Sequence, residues 1–598
     1  MRKLTVITAL FLLMTAGLCY SGHIEVIYPK PDSRLPSVDS TFILGNTDPG
    51  SLLYINSQVA PVHPSGGFLG FVDVTDGDFI FILVSINEKD TTILEVPVTI
   101  GDHELTVSSD SLFINPISIL PTGDRILPAD GNIKIGFSGT PHCSAFFAIS
   151  DSSEWLPLYE DNPGPQHSGS VFGDISIGEQ VKLSEYRAYV KTGTIADTIA
   201  GAIRYNLMSP DGDSLLASSA GNLSILDDEI RIVEFTGQSE IVRTAPGAGY
   251  LLLYQPPGIR GIYDGYDNGF IRMKLSNSLT AFVPEDSALV LPQGTSLPVS
   301  RLRYISIEDY GNFTTVNIPL SFKHPYRIEQ ELEPSRLIVY LYGVIADTDW
   351  IKYVPNDGAV RIAGWSQPED DVYRLALELK DNYQWGYHAG YENYDFVLNI
   401  KKKPEYGGFL KSPVHNLRIA IDPGHCKDLG AVGPTGLTEM EVNLWIAHKL
   451  RKLLEGKGAH VIQTRYGYED VIIYDRPQKA IDFNADLLIS IHNNALPDGV
   501  NPWENNGVST FYYHAQSKPL AEAIQKRLMQ KTGLPDYGVY YGNLALTRPS
   551  EMISVLVECA FIMIPEQEAM LRDWDFQERC AEGIYDGICD FLEQAKNP

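Results

Sequence analysis

The sequence predicts a multidomain chain: N-terminal all-β modules followed by a C-terminal α/β domain with a mostly parallel sheet covered by helices. Three observations carry this. At 598 residues the chain exceeds what one hydrophobic core supports, so about three to five domains are expected. From His23 to about Ile400, short alternating or apolar runs are broken by Gly, Pro, Asn and Asp at intervals of roughly eight to twelve residues, the rhythm of sandwiches and small barrels. From Asn416 onward the pattern changes to alternating strand and helix, the mark of a parallel or mixed sheet with covering helices.

Residues 1–22 read as an export signal. Met1, Arg2 and Lys3 supply charge, an apolar stretch runs from Leu4 to Leu18, and Ser21 and Gly22 are small. The stretch is too short to span a bilayer, and the bulky Leu18 before Cys19 argues against lipidation. No later run is apolar enough to span. The expectation is a protein that is soluble once its signal is removed, in the periplasm or cell envelope. Six cysteines in a chain of this length do not make a disulfide framework.

The β modules follow in order. Residues 23–103, with apolar runs at 41–45 and 53–56 and turns at 47–50 and 76–78, resemble an immunoglobulin-type (Ig-like) sandwich. A second β module is expected over 104–228, where the turn 130–132 precedes the strand 133–137. Gly-rich turns at 246–250 and 261–269 suit an SH3-like barrel over 229–300. Over 301–402 the runs 304–307, 314–318, 337–342, 373–379 and 394–400 alternate apolar with polar, each burying one face of an antiparallel sheet. That region resembles the AMIN domain, a β module attached to cell-wall amidases that helps target them to the envelope. The basic, Pro- and Gly-containing run 401–409 marks a linker, bounded at 403–415.

In the C-terminal domain, 416–598, strands are expected at 417–421, 461–464, 487–491, 510–513 and 553–557. Thr438 opens a helix with apolar Val442, Ile446, Leu450, Leu453 and Leu454, ended at Gly456 or Gly458; Ser517 caps a second, and 576–592 is an amphipathic third. His425, His492 and Glu558 each stand where one of these strands ends. In an open α/β sheet such positions converge on one crevice. Glu439 joins them from the first helical turn, because Thr438 and Glu441 form a capping box that occupies Glu441 and leaves Glu439 free. Two imidazoles and one carboxylate are a known ligand set for catalytic zinc, with a fourth position left for water. Glu558 beside them is placed to move protons.

Each residue also has a plain alternative. His425 alone is a turn residue, Glu439 a helix-dipole carboxylate, and Glu558 half of a salt bridge with Arg548. Arg548 is otherwise a candidate for binding a substrate carboxylate or steadying an oxyanion. Asn493 is a candidate for hydrogen bonding behind the ligands or to substrate. His415, His448 and His514 are set aside, His514 being the strongest rival ligand. Cys426 and Cys559 either meet near the metal or line the strand ends as small buried residues, and the second reading is favoured.

The segments Asp422-Pro423-Gly424-His425, Gly436-Leu437-Thr438-Glu439, Ser490-Ile491-His492-Asn493 and Val555-Leu556-Val557-Glu558 come in order, with Thr464-Arg465, Arg476, Ala480 and Gly507-Val508 between them. Together they resemble the zinc-dependent N-acetylmuramoyl-L-alanine amidases, the amidase-3 family, over about a third of the chain. The resemblance implies one Zn²⁺ on His425, Glu439 and His492, with Glu558 as the catalytic carboxylate. The implied substrate is peptidoglycan, cut at the amide between the lactyl group of muramic acid and the first L-alanine of the stem peptide. Cys426-Lys427 replace two glycines common in the family, and Lys427 adds a positive charge suited to anionic stem peptides. Met563-Ile564-Pro565 replace the usual Asn after Phe561. The segment 494–506 is too short for the autoinhibitory helix of some division amidases, so regulation is expected from the β modules or from an envelope or division activator protein. The net charge of −29 excludes nucleic acid as a partner. Two competing readings are a non-catalytic wall-binding protein, against which the complete ligand set argues, and a zinc peptidase cutting within the stem peptide.

Overall fold

The structure is a computed structural model that describes residues 22–596 apart from 89, 102–105, 109–110, 150–153, 162–179, 195–198 and 354–357. The expected export signal lies outside the described residues except for Gly22. Among the described residues no helix is long and apolar enough to cross a membrane. The chain divides into two units, residues 1–103 with 404–598, and residues 104–403.

The C-terminal part of the first unit is a six-stranded sheet with helices. Its elements are β1 (Arg418–Pro423), α1 (Glu439–Gly456), β2 (His460–Gln463), α2 (Asp475–Asp482), β3 (Leu487–Asn494), β4 (Val508–Tyr512), α3 (Lys518–Thr532), β5 (Asp536–Tyr541), β6 (Ile553–Phe561), α4 (Pro565–Arg572) and α5 (Trp574–Lys596). The strand order is β2-β1-β3-β6-β4-β5. Neighbours are parallel except β4, which runs antiparallel to β6. The central strands are apolar on both faces and buried on both, as a sheet covered by helices requires.

Three elements were not expected. β5 is rich in Tyr and holds Gly538, so it lacks a clear apolar alternation. The other two, α2 and α4, are short, with Pro477 in the first turn of α2 and Pro565 opening α4. Met563-Ile564-Pro565 is therefore the entry to a helix. Ser517 does not cap α3 with its side chain; its hydroxyl accepts the N–H of Ser554. The segment expected as a linker is fastened to α5: the Tyr406 hydroxyl donates to the Leu592 carbonyl at 3.1 Å, and Ser412 and Tyr585 hydroxyls lie 3.0 Å apart.

The N-terminal part of this unit is a pair of sheets. One has strands Ile24–Tyr28, Ser40–Thr47 and Gly67–Asp73, and the other has Ser33–Leu35, Thr91–Ile100, Gly77–Ile86, Leu52–Ile55 and Gln58–Ala60. Ile43, Phe68 and Val72 of the first sheet meet Leu53, Phe81, Leu83 and Val96 of the second in a buried core. The alternate residues Phe42, Leu44 and Leu69 face the other way and bury against Leu496, Phe561, Met563 and Ile564 of the C-terminal part. Each such fully buried side chain contributes about 1.5–3 kcal/mol.

The second unit, described by itself, is all β. The strand Arg125–Leu127 pairs with residues 223–225 on one side and with 266–267 on the other, so hydrogen bonding is continuous across residue 228. One apolar core likewise runs from Val233 to Ile400 across residue 300. The five runs expected between 301 and 402 are all strands, in sheets of five and four.

At the heart of that region His324 is fully buried, its ring nitrogen Nε2 2.7 Å from the Ser300 hydroxyl and its backbone paired with the Tyr391 hydroxyl. Burial lowers its pKa from 6.5 to about 4. As pH falls below 6.5 the unfolded chain takes up a proton that the folded one refuses, so stability is lost between pH 6.5 and about 4. The stability gap between wild type and His324→Gln is expected to narrow by about 2 kcal/mol from pH 7 to pH 5, measured by urea unfolding followed through amide exchange of the 335–342 strand. An unchanged gap would contradict the assignment.

Candidate active site

β1, β3 and β6 end side by side, with Pro423 paired to Ile491 and His492 to Glu558. The chain after β1 turns sharply: His425 has φ +60, a left-handed backbone. Two buried arginines hold that turn. Arg465 donates to the carbonyls of Pro423, Gly424 and Met440 at 2.7–2.9 Å. Arg476 donates to the carbonyls of Pro423 and His425 at 2.9 and 3.0 Å and to the Asp422 carboxylate at 3.1 Å. Asp422 is itself fully buried and accepts the hydroxyls of Thr464 and Ser490.

Glu439 is the first residue of α1 and is buried. The neighbouring cap behaves as expected: Glu441 Oε2 accepts the Thr438 N–H at 3.4 Å and its hydroxyl at 2.7 Å. Glu439 is thereby left to face the crevice. Its Oε1 lies 2.8 Å from His492 Nδ1 and accepts the Asn493 N–H and Asn443 Nδ2, each at 3.2 Å. Its Oε2 lies 3.1 Å from His425 Nε2 and accepts the Ala431 N–H at 2.9 Å. The imidazole rings of His425 and His492 are 5.0 Å apart and T-shaped. Burial works against the Glu439 charge, but the two imidazoles outweigh it and hold the carboxyl well below its ordinary range. Burial also lowers His425, yet Glu439 and Asp428, which is hydrogen-bonded to Nδ1, raise it overall.

Ligand atoms from His425, Glu439 and His492 lie within 4.8 Å of one another, the spacing that a single metal ion needs. The donor set of two imidazole nitrogens and a carboxylate fits a borderline-soft cation with nitrogen and oxygen preference. Close packing of the ligands depends on Gly430, which has φ +65. A Cβ there would stand 2.5 Å from Glu439 Oε2 and 2.7 Å from the His425 ring.

Glu558 is half-buried, and its Oε2 has no hydrogen-bond partner among the described residues. Burial and the neighbouring Glu439 charge push its pKa well above the carboxylate range. The two carboxyls thus diverge, one a weak proton acceptor and the other a strong one, which is how paired acids divide roles. Ser509 stands opposite Glu558 across the antiparallel β4–β6 pair, its hydroxyl buried without a partner.

The remaining expected residues make the following contacts. Asn493 is buried, and besides its N–H on Glu439 its amide donates to Asn443 at 2.8 Å. Lys427 is 83% exposed and sits 3.8 Å from Asp470. Arg548 is buried, with Nε donating to Asn543 at 2.6 Å, and its carbonyl is held by His514. Cys426 and Cys559 do not meet: the first is hydrogen-bonded to Asp470 and Val471, and the second, a free thiol, is hydrogen-bonded to the free thiol of Cys580. Asn443, Arg465 and Arg476 hold the ligands but were not singled out as site residues. A long polar side chain within an apolar helix or beside a strand end was the available signal.

A family model described as N-acetylmuramoyl-L-alanine amidase matches residues 419–590. The N-acetylmuramoyl-L-alanine amidase LytC of Bacillus subtilis is 38% identical over 183 residues, 30% of this chain and 37% of that protein. The chain therefore spans little more than a third of that relative. The probable cell wall amidase LytH of Staphylococcus epidermidis is 32% identical over 213 residues, 34% of this chain and 69% of its own length. A solved structure, the catalytic domain of the amidase CwlV from Bacillus (Paenibacillus) polymyxa, is 34% identical and covers 30% of this chain and 98% of its own, with a TM-score of 0.28. With 32% identity over an aligned stretch that covers 69% of LytH, this chain belongs to the N-acetylmuramoyl-L-alanine amidase family, amidase-3.

Proposed function

We propose that the chain is an exported zinc amidase that hydrolyses the amide between N-acetylmuramic acid and the L-alanine of the stem peptide in peptidoglycan. The observation that carries this is the gathering of His425, Glu439 and His492 around one point beside a Glu558 oxygen that has no other partner. In this reading the three residues hold Zn²⁺, which when bound supplies Lewis acidity to the attacking water and the scissile carbonyl. Glu558 accepts the proton of that water at Oε2 and returns it to the departing nitrogen. Glu439 keeps its negative charge as a ligand, with three N–H donors, from Ala431, Asn443 and Asn493, on its oxygens. Asn443 and the Asn493 backbone orient it, and Arg465 and Arg476 fix the turn that presents His425. Action outside the cytoplasm accords with the cell-wall amidase relatives, and the periplasm and an activator partner belong to the same proposal. We also read residues 23–103 as the Ig-like module and 301–402 as the AMIN-like one, on their paired, mostly antiparallel sheets.

Digestion of purified sacculi followed by mass spectrometry is expected to release intact stem peptides beginning with L-alanine, and chelator is expected to stop it. Glu558→Gln should lower kcat by about 100- to 10,000-fold while retaining zinc. Products cut within the stem peptide, or a variant within tenfold of wild type, would overturn the reading.

Gly430→Ala is a separate test of the ligand packing. The left-handed backbone costs about 1–2 kcal/mol for a residue with Cβ, and the added methyl collides with Glu439. Zinc content by metal analysis is expected to fall well below one per chain in a protein that still folds. Full occupancy would show that Gly430 is incidental.

A further inference from the structure

The outer face of the three-stranded N-terminal sheet is seated on the catalytic part of its own unit. Phe42, Leu44 and Leu69 bury against Leu496, Phe561, Met563 and Ile564. A polar clasp lies beside this apolar contact. Asp498 takes one hydroxyl on each oxygen, Thr41 at 2.5 Å and Tyr28 at 2.6 Å. Asn46 Nδ2 donates to the Pro434 carbonyl at 3.1 Å. Gly67 is pressed so closely that a Cβ would lie 3.2 Å from both Pro434 and Thr435 and 3.4 Å from Pro565.

These contacts fall on the segments from which the site hangs. Residues 494–500 run straight on from His492, and Asn494 pairs with Phe561, three residues past Glu558. The turn 433–437 runs straight into Glu439. That turn is also fixed from α4, where Glu568 accepts the N–H groups of Thr435 and Leu437 at 2.9–3.1 Å. Leu496 and Ile562 add cross-ties through their N–H groups, the first to Met563 sulfur and the second to the Asn494 carbonyl. Two of the three proposed ligands and the proposed proton carrier therefore emerge from segments that the N-terminal sheet touches.

We propose that the N-terminal β-sandwich is a brace of the catalytic centre in cis, with Tyr28, Thr41 and Asp498 as positioning residues. It holds the loop after His492 and the turn before Glu439, so that the ligands keep their spacing when substrate pulls on the crevice. The proposal rests on the zinc-amidase reading of the same site. Two hydroxyls donating to a carboxylate form charge-assisted bonds, stronger and more directional than apolar contact alone. The apolar patch supplies adhesion, and the clasp sets register.

The test uses the full-length chain. Gly67→Trp wedges the contact from the sandwich side, and Asp498→Asn weakens the clasp by removing one charged acceptor. Both should lose zinc to a chelator at least tenfold faster than wild type and exchange amides faster over 494–500 and 433–437. The 487–491 strand should keep its protection. The kcat on sacculi should fall while KM stays within about threefold. Thr41→Ser, which keeps the hydroxyl, should match wild type where Thr41→Val does not. If Gly67→Trp abolishes protection of the 487–491 strand, Asp498→Asn and the Thr41 pair decide. Wild-type zinc retention and exchange in these variants would overturn the brace. A wild-type chain that releases no stem peptide would instead overturn the functional reading, since amide exchange reports the brace without activity.

Discussion

The carboxylate of Glu439, buried between two imidazoles, is the interaction around which the C-terminal domain is arranged. An ionised group taken out of water without partners costs several kcal/mol. Here both oxygens are satisfied, by His492, His425, Asn443 and the backbone N–H groups of Ala431 and Asn493. Those donors come from a helix, a strand end and two turns. They converge only while β1 and β3 keep the register that pairs Asp422 with Ser490. A slip of one residue would turn every side chain of the strand to the opposite face.

The buried polar groups behind the ligands follow from the same constraint. The Pro-Gly turn after β1 exposes carbonyls that no strand or helix can satisfy, and buried carbonyls need donors. Arg465 and Arg476 supply them in a fixed fork, and Asp422 balances the second arginine. Glu558 is the deliberate exception. It shares the crevice with a carboxylate that stays charged, so burial and like-charge repulsion raise its affinity for a proton. One acid is committed to holding charge, and the other is left able to exchange it.

Much of this was legible in the sequence because short apolar strands ending in His or Glu have few structural uses. His425, His492, Glu439 and Glu558 converge as that pattern implies. Arg548, Lys427 and Asn493 were harder to place, because an arginine or asparagine near a strand end serves structure as readily as substrate. Each is seen with a partner in space: Asn543 for Arg548, Asp470 for Lys427, Asn443 for Asn493. The β modules were legible as strands but not as bodies. Strand rhythm reports which residues alternate, whereas the continuous core from Val233 to Ile400 depends on which sheets stack.

The strand Ser40–Thr47 held a signal that rhythm alone passes over. Phe42, Ile43 and Leu44 are consecutive and all buried, and successive strand residues point to opposite faces. A sheet with one solvent face would carry a polar residue among them, so both faces had to be covered. Ile43 fills the sandwich core and its two neighbours reach Leu496 and Phe561. The short loop after His492 has no room for a helix of its own to steady it. A sheet from some 450 residues earlier in the chain occupies that side, which ties the placement of the segment after His492 to the folding of a separate layer.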